Sequence, residues 1–265
     1  MPALPISKSQ LGKLGDRLRD RAEPDPVDRA LLEEVLIAYG EALQVVTADL
    51  RELGFVPASR VKTTETIIDK LRRGRGSSLK SIHDLAGARV VLHGDLAAQE
   101  AAVGLFSAGR DPEPTWIDRR ADPRSGYRAV HVVVRVDGIP VEVQFRTDLQ
   151  DIWAETFERL GDVWGRQIRY GGSPAPDPRG EDATTERTEL VALMLNLSTI
   201  MSEYEKLCAA GEIKQAATEV ENLMARADWV RSNYEAYQSA KEGTGKLIHE
   251  RLNEVARRAG VVAQG

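Results

Sequence analysis

Cysteine is nearly absent: Cys208 stands alone in 265 residues. A disulfide framework is therefore excluded, and the usage suits a reducing compartment. Cys208 follows Leu207 in a helical pattern and reads as a small buried hydrophobe rather than a reactive thiol. Aromatic residues make up only 5% of the chain, so a core must be built mostly from Leu, Val, Ile and Ala. No segment approaches the ~18 uninterrupted apolar residues of a membrane helix. Residues 1–10 hold no apolar run of signal-peptide length. The expectation is a soluble, cytoplasmic protein with no membrane partner. Metal-cluster spacing is lacking too: His83, His93, His131 and His249 do not form a zinc pattern, and there is no Cys pair. A Walker phosphate loop is missing: Gly-x-x-x-x-Gly-Lys-Ser/Thr occurs nowhere, and the similar Gly243-Thr244-Gly245-Lys246 has no strand pattern before it. Excess basic charge is absent as well. A net charge of −5 makes a poor general nucleic-acid binder, although local basic clusters remain.

What is present alternates between helical and strand patterns. Residues 1–28 are polar, carry Pro24 and Pro26, and read as a loose tail or a short helix. Leu31, Leu32, Val35, Leu36, Leu43, Val46 and Leu50 recur at three- and four-residue steps, predicting a helix over 27–53 that Gly54 ends. Further helices are expected over 63–72, 79–85, 96–107 and 149–168. Residues 88–92 read as a buried strand, and 108–126 as a loop with one strand near Trp116. Asp137-Gly138 between two β-rich runs, 129–136 and 139–145, predicts a two-residue hairpin. That turn pairs Val136 with Ile139, Val134 with Val141, Val133 with Glu142 and His131 with Gln144. Val132, Val134, Val136, Ile139, Val141, Val143 and Phe145 then make one apolar face, while His131, Glu142 and Gln144 cluster on the other. A linker rich in Pro and Gly covers 173–185, and 186–265 reads as a helical module with a stripe from Leu190 to Leu207.

Three groupings could carry chemistry. Arg60, Lys62 and Lys70, followed by Arg72, Arg73 and Arg75, are either a solvated face or a polyphosphate clamp; the eight-residue step from Lys62 to Lys70 lets them flank one groove. Asp84 precedes a strand beside Gly87, where a cap residue is the plainer reading. Glu142 sits in a Val-rich strand, which an exposed sheet face would also explain. His131 and Tyr127, each taken alone, are more simply structural.

Taken together, the blocks are more specific. Arg60-x-Lys62 with Lys70, then Asp84-Leu-Ala-Gly-Ala-Arg89-Val, then Gly126-Tyr127-Arg128-Ala-Val-His131, then Glu142-Val-Gln144-Phe-Arg146-Thr147, resemble the RelA/SpoT synthetase family in its own order. The resemblance implies an α+β fold, a mixed sheet flanked by helices in a nucleotidyltransferase-like core over 29–172, with a C-terminal helical extension. Only 59 residues precede Arg60, so the family's large hydrolase module is expected to be missing, as is its long regulatory tail. The implied activity is that of a small alarmone synthetase: pyrophosphate moves from ATP to the ribose 3′-hydroxyl of GDP or GTP.

The resemblance also implies roles. Asp84 would hold Mg²⁺, and Glu142 would share it or deprotonate the 3′-hydroxyl. Arg60 and Arg89 would sandwich the adenine, and Lys62 and Lys70 would bind the ATP phosphates. Tyr127 would stack on the acceptor guanine and His131 would touch acceptor phosphate, with Gln144 and Arg146 completing the site. One departure concerns the acceptor loop, where many members have Lys and Asn before the Gly-Tyr pair. Here Pro123 and Ser125 hold those positions, and Arg124 is the candidate replacement cation.

That departure, with Arg72, Arg73 and Arg75, keeps a toxic small synthetase open, one that modifies tRNA 3′-CCA ends or makes adenosine analogues. A non-catalytic nucleotide-binding regulator is the third reading, against which Asp84 and Glu142 argue. The C-terminal stripe is expected to pack on the core, to pair subunits in a homo-oligomer, or to receive an antitoxin; the linker favours self-association.

Overall fold

The computed structural model describes residues 2–73 and 78–211. Arg75, His249, the Gly243–Lys246 stretch and the apolar positions Val220, Leu223, Met224, Trp229 and Val230 lie outside the described residues. No helix among the described residues is long and apolar enough to cross a membrane.

The chain opens on a packed helix rather than a loose tail. Ser7 and Gln10 form a reciprocal cap at the start of α1 (Lys8–Asp20), with bonds of 3.2 Å and 2.9 Å. Leu11, Leu14 and Leu18 repeat at three- and four-residue steps along it and are fully buried. Such burial is worth roughly 1.5–3 kcal/mol per leucine. Asp25 then caps α2 (Pro26–Glu52) by accepting from Val27 N–H at 2.9 Å, and Pro26 supplies a preset first turn. Leu32, Val35, Val46 and Leu50 form its buried face, as their spacing predicts.

Next come β1 (Ala58–Val61), α3 (Thr64–Arg73), two short 3-10 turns at Leu79–Ser81 and His83–Leu85, β2 (Ala86–Leu92) and α4 (Leu96–Ser107). The single short helix expected over 79–85 is thus two turns broken at Ile82. Then follow β3 (Thr115–Asp118), β4 (Val130–Val136), β5 (Ile139–Thr147), α5 (Asp148–Trp164), a 3-10 turn at Arg166–Tyr170 and α6 (Glu181–Ala209). The five strands form one mixed sheet in the order β1-β2-β5-β4-β3, so the fold is α+β.

The β4–β5 hairpin has the register that its turn dictates, including Val133 opposite Glu142 and His131 opposite Gln144. Asp137 and Gly138 take φ of +50° and +81°, the backbone that a tight two-residue turn needs. Strand β1 was not legible beforehand. It has four residues, lies on the sheet edge, and is almost wholly exposed, so no apolar alternation marks it.

Two compact units make up the chain. The first comprises Met1–Val91, Ala102–Ile117 and Val130–Phe145; the second comprises Leu92–Ala101, Asp118–Ala129 and Arg146–Gly265. In the first, α1 packs against α3 and the turn at Leu79–Ser81, and α2 packs against β1 and β4. Phe145 closes its core, with ring centroids 5.6 Å from Phe106 and 6.1 Å from Phe55.

In the second unit, α5 and α6 bury Leu149, Trp153, Phe157, Leu190, Met194, Leu197 and Met201 against each other. The apolar stripe on α6 is therefore covered within this unit up to Met201, and that part of it is not left for a neighbour. Helix α6 starts at Glu181, inside the segment read as linker. That segment is tied down: buried Asp177 pairs with Arg179 at 2.8 Å and Arg187 at 2.7 Å, and its N–H donates to Thr184 Oγ1 at 2.8 Å.

Candidate active site

In the first unit, a carboxylate sits between two ammonium groups. The β1–β2 ladder runs one bond past Val61 opposite Ala86, because Lys62 N–H donates to Leu85 O at 2.8 Å. This brings the Lys62 side chain to Asp84 in the turn before β2, where its Nζ donates to Asp84 Oδ2. Lys70, on α3, donates to Asp84 Oδ1 at 2.7 Å. Lys62 is not on the helix with Lys70, so the eight-residue step does not set their geometry. Asp84 does, by meeting both.

Burial alone would raise the Asp84 carboxyl, but the two ammonium groups outweigh it and hold it below the usual aspartate range. Lys62 moves down: burial dominates, Asp84 offsets part of it, and neighbouring Lys70 adds repulsion. Two positive charges against one negative leave a net charge suited to an anion.

On the same sheet, β5 presents Glu142 and Gln144 two residues apart and hence on one face. His131 on β4 is opposite Gln144. Gln144 Nε2 donates to Glu142 Oε1 at 2.9 Å, and His131 Nδ1 lies 3.2 Å from the same oxygen. The sequence placed these three together, and they meet through Glu142. Burial pushes the Glu142 carboxyl up, yet the hydrogen bond and charge of His131, aided by Gln144, bring it below its ordinary value. Asp84 opposes this through like-charge repulsion, so the two carboxylates feel each other.

Gly87 explains how the strands come close. A Cβ there would lie 3.2 Å from the backbone oxygen of Glu142, tighter than most side chains tolerate. Gly87 also lies opposite Arg60, and Arg89 opposite Ala58. Arg60 and Arg89 therefore share a face as diagonal neighbours, with no side chain facing Arg60 across the ladder.

Among the described residues, no group of three or more His, Cys, Asp or Glu could cage a metal. Asp84 and Glu142 nonetheless fit Mg²⁺, which takes oxygen ligands, holds to one or two carboxylates, and draws the rest from water and substrate phosphates.

The second unit holds the remaining candidates. Arg124 and Tyr127 bracket a tight turn, with Tyr127 N–H donating to Arg124 O at 3.0 Å. Ser125 and Gly126 inside it have φ of +47° and +80°. Arg124 is exposed and Tyr127 half-buried. Arg146 is buried: its Nη2 donates to Tyr127 Oη at 3.1 Å, its Nη1 pairs with Asp151 at 3.0 Å, and its guanidinium carbon lies 5.0 Å from the Tyr127 ring centroid. Burial would lower the Arg146 pKa, but Tyr127 and Asp151 overcome it.

Sequence reasoning missed several partners. Asp151 lies one turn into α5, five residues after Arg146, and that spacing could have flagged it. Ser198, 72 residues from Gly126, gave no local signal. Glu205 is buried on α6, bonded to Thr147 Oγ1 and to Gln150 at 3.1 Å; burial raises its carboxyl despite those donors. Arg72 Nη2 donates to the backbone oxygens of Arg21 at 2.7 Å and Ala22 at 2.9 Å, and Arg73 Nε donates to Asp69 O at 3.2 Å. At these two positions the exposed basic run also bonds to backbone oxygens of its own unit.

An α+β sheet carrying a lysine-bracketed carboxylate beside a second carboxylate is the class that fold and geometry define. The family described as the region found in RelA / SpoT proteins matches residues 59–159. Uncharacterized proteins of Mycobacterium bovis and Mycobacterium tuberculosis are each 34% identical over 211 residues, covering 76% of this chain and 75% of theirs. The fold is similar to the small alarmone synthetase 1 from Bacillus subtilis, with a TM-score of 0.50 at 22% identity, covering 69% of this chain and 98% of that one. A GTP pyrophosphokinase family protein from Streptococcus pneumoniae aligns with a TM-score of 0.49 at 22% identity, over 74% and 96% of the two chains. The chain belongs to the RelA/SpoT family.

Proposed function

We propose that the chain transfers the pyrophosphoryl group of ATP to the ribose 3′-hydroxyl of GDP or GTP, making (p)ppGpp and releasing AMP. The observation that carries this reading is Asp84, bracketed by Lys62 and Lys70 within electrostatic reach of Glu142. Membership of the RelA/SpoT family supports it, as does the name of the Bacillus subtilis protein with the similar fold, a small alarmone synthetase.

Lys62 and Lys70 turn from Asp84 to the ATP phosphates, whose charge exceeds that of one carboxylate. Arg60 and Arg89 offer guanidinium planes to the adenine. Asp84 and Glu142 are the residues that would hold Mg²⁺, which when bound would neutralise charge spread over the transferring group. Glu142, ionised at neutral pH, shares that metal or else accepts the proton of the 3′-hydroxyl, water taking the proton in the first case. The 3′-oxygen bonds to the β-phosphorus of ATP as the bond from that phosphorus to the α–β bridging oxygen breaks, and AMP leaves with that oxygen. Tyr127 stacks on the guanine, with Arg124 and His131 on the acceptor phosphates and Gln144 and Arg146 holding Glu142 and Tyr127.

The Pro123-Arg124-Ser125 sequence of the acceptor turn favours a second reading, a toxic synthetase acting on tRNA ends or adenine nucleotides. Incubation of the protein with γ-labelled ATP and, separately, GDP, GTP, ATP or bulk tRNA tests both. Label on GDP or GTP supports the first reading. Label only on tRNA or an adenine nucleotide replaces it with the second. No transfer to any acceptor leaves the nucleotide-binding regulator.

A further inference from the structure

Helix α6 lies entirely beyond residues 59–159, the region shared with the RelA/SpoT family. Its contacts within the second unit nevertheless converge on the turn that carries Tyr127. Ser198 Oγ donates to Gly126 O. Arg128 Nε donates back to Ser198, to its backbone oxygen at 3.2 Å and its hydroxyl at 3.1 Å, and Arg128 Nη1 donates to Arg120 O. Trp153 Nε1 donates to Met194 O at 2.7 Å, which fixes the indole against α6. That indole and Leu195 leave no space beside Gly126: a Cβ there would lie 2.6 Å from Trp153 and 3.2 Å from Leu195.

The turn needs such support. Both central residues have positive φ, which is unfavourable at Ser125. Ser198 is 1% exposed, so its hydroxyl works inside the protein and not for solvent. A buried hydroxyl that both donates to the turn and accepts from the residue after Tyr127 holds the tyrosine from its two sides.

We propose that α6 is part of the acceptor-binding machinery and that Ser198 is its positioning residue, fixing the Ser125–Gly126 turn and so the orientation of the Tyr127 ring. This rests on the reading of Tyr127 as the platform for the acceptor guanine. Ser198 touches no substrate; it acts through Gly126 and Arg128. The consequence is a selective one. Loosening the turn weakens acceptor use and leaves ATP use alone, because the lysines, arginines and carboxylates assigned to ATP belong to the other unit.

The test uses the full chain with Ser198→Ala and, as a second variant that loosens the same clamp from the other side, Arg128→Lys. Initial rates are measured with ATP varied at saturating GDP or GTP, and with GDP or GTP varied at saturating ATP. Both variants are expected to raise the KM for the guanine nucleotide about tenfold, the worth of one buried hydrogen bond, with the KM for ATP unchanged. Limited trypsin digestion adds a readout that needs no nucleotide: cleavage after exposed Arg124 is expected to speed up in both variants. A Ser198→Ala protein with wild-type guanine-nucleotide KM and wild-type cleavage at Arg124 overturns the proposal, even if its melting temperature falls. Wild-type protein that turns over no guanine nucleotide overturns the functional reading, and this one with it.

Discussion

The Arg146 guanidinium lies over the Tyr127 ring, its carbon 5.0 Å from the centroid, and donates to the Tyr127 hydroxyl at 3.1 Å, so one buried cation holds the ring at a face and at its tip. Stacking by a ring of this kind is worth about 1–3 kcal/mol per base. Tyr127→Ala is therefore expected to raise the acceptor KM roughly 5- to 150-fold. Tyr127→Phe keeps the ring and loses one bond to Arg146, so its effect is expected to be smaller. Steady-state kinetics with GDP and GTP checks the order, and equal impairment in Phe and Ala would show that the ring is not a platform.

A second expectation concerns pH. Asp84 and Glu142 both have folded-state pKa values below their ordinary ones. For a carboxylate, that direction means stabilisation present above the unfolded value, near 4, and lost as pH falls through the folded value. The acid limb of the rate profile should therefore lie below the usual carboxylate range, and acid unfolding should follow the same sign. Asp84→Asn leaves Lys62 and Lys70 facing each other without a counter-charge, so its stability should depend less on pH in that window. Thermal melts from pH 3 to 7 decide it; a wild-type rate that collapses between pH 5 and 6 would contradict the ionised-carboxylate account.

The turn at Ser125-Gly126 makes a third expectation. Ser125 has φ of +47°, a region in which Asn is several times commoner than Ser. Ser125→Asn is expected to stabilise the chain by a few tenths of a kcal/mol to about 1 kcal/mol. Differential scanning calorimetry reads this as a higher melting temperature, and a lower one would show that the Ser125 side chain has a role beyond the turn.

The geometry around Glu142 was readable from the sequence, for reasons that are local. The Asp137-Gly138 turn sets the register, and register alone brings His131, Glu142 and Gln144 to one face. Thr147 and Gln150 form a capping pair where β5 gives way to α5, so Arg146 is the penultimate residue of a strand that a helix at once follows. Where the sequence was silent, the determinant was distant or weakly patterned. Strand β1 is short, polar and at the edge, and Arg60 and Lys62 looked like part of a charged run. Leu11, Leu14 and Leu18 carry a helical period with a capping pair before them, so of the two readings of residues 1–28, a loose tail or a short helix, the helix is the one formed. No spacing rule links Ser198 to Gly126 or Glu205 to Thr147, because these contacts exist only after α6 packs on α5.

The lysine-bracketed carboxylate leads to one decisive measurement. If Asp84, Glu142, Lys62 and Lys70 transfer pyrophosphate rather than a single phosphate, the co-product of ATP is AMP. Chromatography of reaction mixtures containing ATP, Mg²⁺ and GDP should give AMP and a 3′-pyrophosphorylated guanosine nucleotide in a one-to-one ratio. Asp84→Asn and Glu142→Gln should slow both products together by ~10²–10⁴-fold while the chain stays folded. Formation of ADP in place of AMP, or wild-type rates in both variants, would contradict the account.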